Sequence, residues 1–323
     1  MADEVKRKIF RTSAFWSAAL SLLCCAAGCG DAETGADGKL GVAAGLPPVA
    51  YLAKRVGGDA VTVRTMLPEG RSPHDFSPGP REVRDAAACR VFFTTGMRFE
   101  DALVKAVGGG KTVDVSRGIR RIPMLVSCDH DHGRHHDHDH HDHHHDHDGE
   151  EALDPHIWLD AENACRMAAN IRDELSALDP GRASLYRENC ERTTRELRAL
   201  EKRLQVEFSP FRGRCFYVYH PAFGYFAKML GLRQEAVELG GREVTPARLT
   251  EVIRKARRDK VKVLFAQPQF SPASCRALER ALGVKVVPAD PLREDLLANF
   301  EHLAKELKAG FAESDGGARD SDN

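Results

Sequence analysis

The sequence has no excess of charge of either sign: across 323 residues, 47 lysines and arginines oppose 48 aspartates and glutamates. A protein that binds nucleic acid needs a basic surface to neutralise phosphates, so this balance argues against a nucleic-acid partner. With 42% hydrophobic and 29% charged residues, the composition also excludes a membrane protein with several spans. At roughly 150 residues per domain, the length allows about two domains.

The sequence also lacks the motifs of common thiolate and hydrolytic centres. None of its nine cysteines belongs to a Cys-x-x-Cys pair, and neither His-Glu-x-x-His nor Gly-x-Ser-x-Gly occurs. Gly108–Thr112 resembles part of a phosphate-binding loop, but Lys105 stands where its first glycine belongs. We therefore expect a turn at this segment, and we expect most of the cysteines to be small buried residues.

Long hydrophobic runs are missing except for one near the start, from Ala14 to Ala27. At about 14 residues it is shorter than the roughly 20 needed to cross a bilayer, and basic residues precede it. We predict a signal peptide over residues 1–28, a tether over 29–38, and export of the protein. Ala26-Ala27-Gly28-Cys29 resembles the bacterial lipoprotein cleavage box, which predicts lipid attachment at Cys29. The alternative is an ordinary signal peptide cut near Ala27, which would leave the protein in the periplasm.

Strand-like and helix-like segments alternate in both halves of the remaining chain, a pattern typical of parallel sheets covered by helices. The predicted strands are Val61–Leu67, Cys89–Thr94, Thr112–Val115, Cys215–Tyr219, Gln234–Glu238, Lys262–Ala266 and Val284–Val287. The predicted helices between them are Val49–Val56, Pro80–Ala88, Arg98–Val107, Ala222–Leu230, Pro246–Arg258, Pro272–Leu282 and Glu294–Ala309.

A long helical stretch separates the two halves. One helix is predicted over about Ala161–Leu178, and a second from about Arg182 to Phe208, where leucines recur at helical spacing. The second would span roughly 40 Å and serve as a rigid spine. We therefore predict an α/β fold with an N-terminal lobe over 39–180, a linking helix over 181–209, a C-terminal lobe over 210–311 and a disordered tail over 312–323.

Histidine is the abundant residue: fifteen occur, and eleven lie between His130 and His147, interleaved with aspartates. The segment 128–151 has no hydrophobic periodicity and is predicted to be a loop. Imidazole nitrogens bind borderline metals such as Zn²⁺, so we predict several weak, exchangeable auxiliary sites, against the alternative of a purely solvating linker. The auxiliary ligands are His130, His132, His135, His136, His138, His140, His141, His143, His144, His145 and His147.

Four other residues suggest a specific metal site. His220 and Asp290 each follow a predicted strand, and His74 and His156 are expected at the matching rim of the other sheet. That rim is where open α/β sheets bind ligands, and three imidazoles with one carboxylate would complete a tetrahedral zinc shell. The remaining histidine, His302, is expected to have a structural role on the polar face of the last helix.

Several sequence blocks around these residues resemble, over about residues 39–310, the metal-binding solute-binding proteins of bacterial ABC importers, specifically the zinc-specific ZnuA type within the TroA-like superfamily. The blocks are Pro47–Asp59, Leu67–Phe76, Asp154–Leu159, Tyr219–Tyr225, Gln267–Ser271 and Asp290–Leu292. The resemblance implies two α/β lobes joined by one long helix, with metal in the cleft between the lobes. It also implies His74, His156, His220 and Asp290 as ligands, ABC permease membrane subunits as partners, a monomer, and no enzymatic activity.

The third ligand bears on the choice of metal. Manganese-specific relatives typically place glutamate where His220 stands, and an imidazole there favours zinc. Ala266 departs from the acidic residue that is usual before Gln267-Pro268. The alternatives are a binding protein for manganese or another divalent metal in the same family, a zinc-dependent hydrolase with an open coordination position, and a metal buffer without a permease.

Overall fold

The computed structural model describes residues 38–124, 152–238, 244–268 and 272–316. The predicted signal peptide, Cys29, and the eleven histidines of the loop 128–151 lie outside the described residues. Within the described segments, every helix is too short or too polar to cross a bilayer. These segments all belong to one compact unit, Glu33–Asn323.

The N-terminal lobe is a four-stranded parallel sheet with the strand order β2-β1-β3-β4. Its elements are β1 (Leu40–Ala44), α1 (Pro47–Gly57), β2 (Val61–Thr65), α2 (Pro80–Ala87), β3 (Val91–Thr94), α3 (Glu100–Val107) and β4 (Thr112–Asp114). The sequence patterns did not predict β1. This central strand is short, contains a glycine and three alanines or valines, and is buried on both faces, so it shows no alternation of polar and apolar residues.

Two helices that pack against each other follow, α4 (Ala161–Leu178) and α5 (Ala183–Phe208). The C-terminal lobe then forms a second four-stranded parallel sheet with the order β6-β5-β7-β8. Its elements are β5 (Cys215–Val218), α6 (Gly224–Leu230), β6 (Arg233–Ala236), α7 (Pro246–Arg258), β7 (Val263–Ala266), α8 (Pro272–Leu282), β8 (Lys285–Pro288) and α9 (Leu296–Gly316). The predicted α/β fold with two parallel-sheet lobes and one long linking helix is confirmed.

Helix α9 ends later than predicted. It continues to Gly316, beyond the predicted end at Ala309. Phe311 is buried in the core, so the packed apolar face of the helix continues past Ala309.

Helix α5 carries the apolar core from one lobe to the other. Its 26 residues span about 39 Å. Its buried residues include Tyr186, Leu197, Leu200, Leu204 and Phe208, which face α1 and α4 at one end and α6 and α9 at the other. One continuous cluster of buried apolar side chains therefore spans both sheets. Because close-packed interiors resist deformation, this shared core limits hinge motion between the lobes.

The described cysteines fit the expectation of small buried residues only in part. Cys89, Cys165 and Cys190 are buried and free, whereas Cys275 is free and partly exposed. Burial raises the pKa of the Cys165 thiol to about 12, so this thiol stays protonated and unreactive. Cys215 is disulfide-bonded. None of the described cysteines belongs to a metal-binding group.

Candidate metal centre

Three histidines from separate segments converge at the carboxyl ends of the strands. His74 lies in the connection after β2, where its backbone N–H donates to the Ser72 hydroxyl at 3.2 Å. His156 precedes a short 3₁₀ turn, Ile157–Leu159, and His220 follows β5. One potential ligand atom from each ring lies within 4.8 Å of the other two, and the ring centroids are 4.9–5.5 Å apart.

The geometry of the three rings suits a tetrahedral ion. Nitrogens bound to one zinc ion lie about 3.4 Å apart, since a Zn–N bond is about 2.0–2.1 Å long. Small ring rotations would bring the three nitrogens from within 4.8 Å to that separation. The Nε2 atom of His220 is buried without a hydrogen-bond partner, which is costly unless a ligand occupies the space it faces.

His156 is held by a buried carboxylate two residues earlier. The Asp154 carboxylate lies 2.8 Å from His156 Nδ1 and also accepts the His156 backbone N–H at 2.9 Å. A carboxylate at Nδ1 keeps the proton on that nitrogen and leaves Nε2 as the metal-binding atom. The space for Asp154 depends on Gly224, where a Cβ atom would lie 2.6 Å from Asp154 Oδ2.

His220 has a corresponding carboxylate from a different strand. Glu238, two residues beyond β6, places Oε2 3.0 Å from His220 Nδ1. The side-chain amide of Gln267 donates to the backbone carbonyl of His220 at 3.3 Å. The Glu238 contact orients the His220 ring, the Gln267 contact fixes the His220 backbone, and both side chains are buried. Two of the three imidazoles therefore have a carboxylate on the nitrogen that would face away from the metal.

The electrostatic setting keeps two of the imidazoles neutral. Desolvation, with smaller effects from the neighbouring His156 and His220 rings, lowers the pKa of His74 from 6.5 to about 4, although the residue as a whole is exposed. Desolvation also lowers the pKa of His156, against an opposing effect of Asp154. Neutral imidazole is the form that binds metal, so these rings are ready to bind at neutral pH.

Asp290, the fourth predicted ligand, lies two residues after β8 and is not a member of the three-histidine group. Its Oδ1 atom accepts the backbone N–H of Leu292 at 2.9 Å, and Asn299 donates to its backbone carbonyl at 2.9 Å. The indole of Trp158 donates to the carbonyl of the next residue, Pro291, at 2.6 Å. His302 lies on α9, also outside this group.

Sequence reasoning missed the residues that support the ligands. Asp154 could have been found, because it stands two residues before His156. Glu238 and Gln267 are 18 and 47 residues away from His220, and only the pairing of β5 with β6 and β7 brings them together. Trp158 and Pro291 are separated by 133 residues and connect the two lobes beside the site.

Two parallel α/β lobes with three convergent imidazoles at the strand ends define a metal-binding protein. Residues 42–310 match the model of the ZnuA family, described as zinc-uptake complex component A, periplasmic, and the chain belongs to this family. A solved structure described as the crystal structure of ZnuA superposes with a TM-score of 0.73 at 26% identity, covering 84% of this chain and 99% of the other.

Two curated relatives differ in the metal they are named for. The chain is 28% identical over 290 residues to the zinc-binding lipoprotein AdcA of Streptococcus pneumoniae serotype 4, covering 85% of this chain but only 56% of AdcA. It therefore spans about half the length of that relative. It is 27% identical over 269 residues to the manganese ABC transporter substrate-binding lipoprotein PsaA of Streptococcus mitis, covering 82% of this chain and 83% of PsaA.

Replacement of Asp154 by Asn tests the orientation of His156. The amide keeps the shape of the carboxylate but removes its charge, and we expect zinc affinity to fall about 10–100-fold, as for other residues that hold a metal ligand. Competition against a chromophoric chelator measures the change. Asp173→Asn, an exposed change on α4, is the control and should leave affinity unchanged. Wild-type affinity in Asp154→Asn would contradict this role.

The lowered pKa of His74 predicts a pH dependence of the metal-free protein. Between pH 6.5 and about 4 the unfolded chain binds a proton at this residue more readily than the folded chain does. His74 therefore reduces stability as the pH falls through this window and has little effect above it. We expect the thermal midpoint of His74→Ala to fall less steeply than that of the wild type over this range. Parallel curves for the two proteins would contradict the assignment.

Proposed function

We propose that the chain is the zinc-binding component of an ABC importer, which captures Zn²⁺ outside the inner membrane and delivers it to the membrane permease subunits. The observation that carries this proposal is the group of three imidazoles within 4.8 Å of one another, two of them held by carboxylates. Family membership supplies the transport context. The protein acts as a carrier and not as an enzyme.

The donor set favours zinc over manganese. Imidazole nitrogens suit borderline ions such as Zn²⁺, whereas Mn²⁺ prefers carboxylate and water oxygens. His220 supplies a third nitrogen, and the Glu238 carboxylate lies on its Nδ1 atom. A protein that binds manganese is the alternative within the family, and PsaA bears such a name.

We propose Asp290 as the fourth ligand. It follows β8 at the same edge of the sheet at which His220 follows β5. The Trp158 indole, two residues after His156, bonds to the carbonyl of Pro291 and so keeps this segment beside the site. A four-ligand site leaves no position for an activated water, which separates a carrier from a zinc-dependent hydrolase. X-ray absorption of the zinc-loaded protein distinguishes the two: a water ligand on zinc would favour the hydrolase.

The segments before and within the lobes suggest how zinc is collected. We propose that Cys29 carries a lipid that attaches the exported protein to the membrane, and that the protein acts as a monomer. The eleven histidines of the loop 128–151 would raise the local zinc concentration and pass ions to the site. Since the shared core limits hinge motion, release would follow small lobe tilts or movement of the segments bearing His74 and His156.

Single replacement of the site histidines is the direct test. We expect His74→Ala, His156→Ala and His220→Ala each to weaken zinc binding at least about 100-fold, because each removes a ligand from the shell. His302→Ala, a change outside the site, is the matched control. Competition titrations with zinc and manganese measure affinity and preference together. Tight zinc binding retained by all three variants would reject the site, and a preference for manganese would favour the alternative.

Deletion of residues 129–149 tests the auxiliary role of the loop. We expect zinc stoichiometry to fall to one tight site, whose affinity stays near that of the full chain, because the three ligands lie outside the deleted segment. Calorimetry at several zinc ratios measures both quantities. An unchanged stoichiometry would reject metal binding by the loop, and loss of the tight site would show that its ligands come from the loop.

A further inference from the structure

A buried ionic cluster lies beside the C-terminal sheet, outside the set of proposed ligands. Glu235 in β6 is 0% exposed and accepts bonds from Arg248 at 2.9 Å and from Lys255 at 3.3 Å, both on α7. The side chains of Arg248 and Lys255 are 12% and 5% exposed. Glu251 on the same helix, with a side chain that is 42% exposed, pairs with both cations from the solvent side, at 3.0 and 3.1 Å. Two carboxylates and two cations therefore share one site between strand and helix.

Net stability is a weak explanation for such a cluster. Removing charged groups from water costs free energy that their mutual attraction often does not recover, and buried ion pairs can be replaced by apolar residues with little loss. A buried ion pair does provide a defined geometry, because the planar fork of donors in an arginine side chain fits its partners in few positions. The role of Arg248 should therefore be read from the other groups that it contacts, beyond the two carboxylates.

Arg248 binds the end of β6. Its Nη2 atom donates to the carbonyl of Ala236, and its Nε atom donates to the carbonyl of Val237 at 3.4 Å. Because β6 is the edge strand of the described sheet, a side chain can reach these carbonyls from the open side. Its own backbone is anchored as well, since its N–H donates at 3.2 Å to the hydroxyl of Thr245, the N-cap residue of α7.

Glu238 directly follows Val237 in the chain, and its carboxylate lies 3.0 Å from His220 Nδ1. The backbone N–H of Glu238 donates to the carbonyl of Tyr219, directly before His220, at 2.9 Å. Arg248 thus holds the two peptide units that lead into Glu238, and Glu238 in turn orients His220. Glu238 is therefore the one residue that connects Arg248 with the proposed metal ligand His220.

We infer that Arg248 is a positioning residue for the metal site, which fixes the end of β6 so that Glu238 keeps His220 turned towards the metal. This inference rests on the proposed function. It implies that zinc affinity depends on the contact between β6 and α7 as well as on the ligands. Residues that hold a metal ligand in place typically change metal affinity by 10–100-fold when replaced, and Arg248 should reach the lower part of that range.

The test compares zinc affinity and thermal midpoint in three single variants of the full chain. Arg248→Gln removes the charge and the fork of donors, and we expect affinity to fall about tenfold. Arg248→Lys keeps a cation beside Glu235 but cannot bond both carbonyls, so it should retain most of the thermal stability yet lose affinity. Arg254→Gln, at an exposed position on the same helix, is the control and should change neither quantity.

A double-mutant cycle with Glu238→Gln distinguishes positioning from a general loss of structure. If Arg248 acts through Glu238, Arg248→Gln should cause no further loss of affinity in the Glu238→Gln background. The visible absorption of bound Co²⁺ should shift in Arg248→Gln but not in Arg254→Gln, because it reports ligand geometry.

The outcomes separate this inference from the proposed function. Wild-type zinc affinity in both Arg248 variants, or losses that add fully in the double variant, would overturn the inference alone. A wild-type chain that binds no zinc would reject the proposed function, and the inference with it.

Discussion

The structure depends on bringing three imidazole rings together in one partly buried place, with the correct nitrogen of each ring turned inwards. Desolvation lowers the pKa of His74 to about 4, and the neighbouring His156 and His220 rings add to this effect, because protonated rings this close repel one another. A neutral imidazole can still bind metal through either of its two nitrogens, so a further interaction has to set the choice of nitrogen. Carboxylates at the Nδ1 atoms of His156 and His220 settle that choice for two of the rings, and each carboxylate requires its own support from the fold.

That support comes from backbone that is difficult to move. Asp154 occupies space that exists only because residue 224 is glycine, and Glu238 follows a strand end held by Arg248. The apolar core runs without interruption from one sheet to the other along α5, and the Trp158 indole bonds across the lobes. The site is therefore stiff, which suits tight and selective binding but restricts how an ion can leave. This packing is the reason that we propose release by local movement rather than by a wide hinge.

Prediction from the sequence succeeded where a pattern repeats locally. Strands after β1 and the long helix α5 follow from alternating and helical spacing of apolar residues, and the helix was placed within one residue at each end. The central strand β1 was not predicted, because burial on both faces removes the alternation of polar and apolar residues. The end of α9 was placed too early, because packing of Phe311 extends the helix. Convergence of His74, His156 and His220 was predicted from the strand end before His220, the expected rim position of the other two, and the family resemblance, and the structure brings the three together.

The sequence by itself determined the residue types, the alternation of strands and helices, and the strand end that precedes His220, because each depends on neighbours in the chain. Only the tertiary structure decided which carboxylates hold the site histidines. Glu238 reaches His220 through the pairing of β5 with β6, and Arg248 reaches the end of β6 by packing of α7 on the sheet. Such contacts join residues 10 or more positions apart, and no local pattern records them. Their existence follows from the order of strands in the sheet.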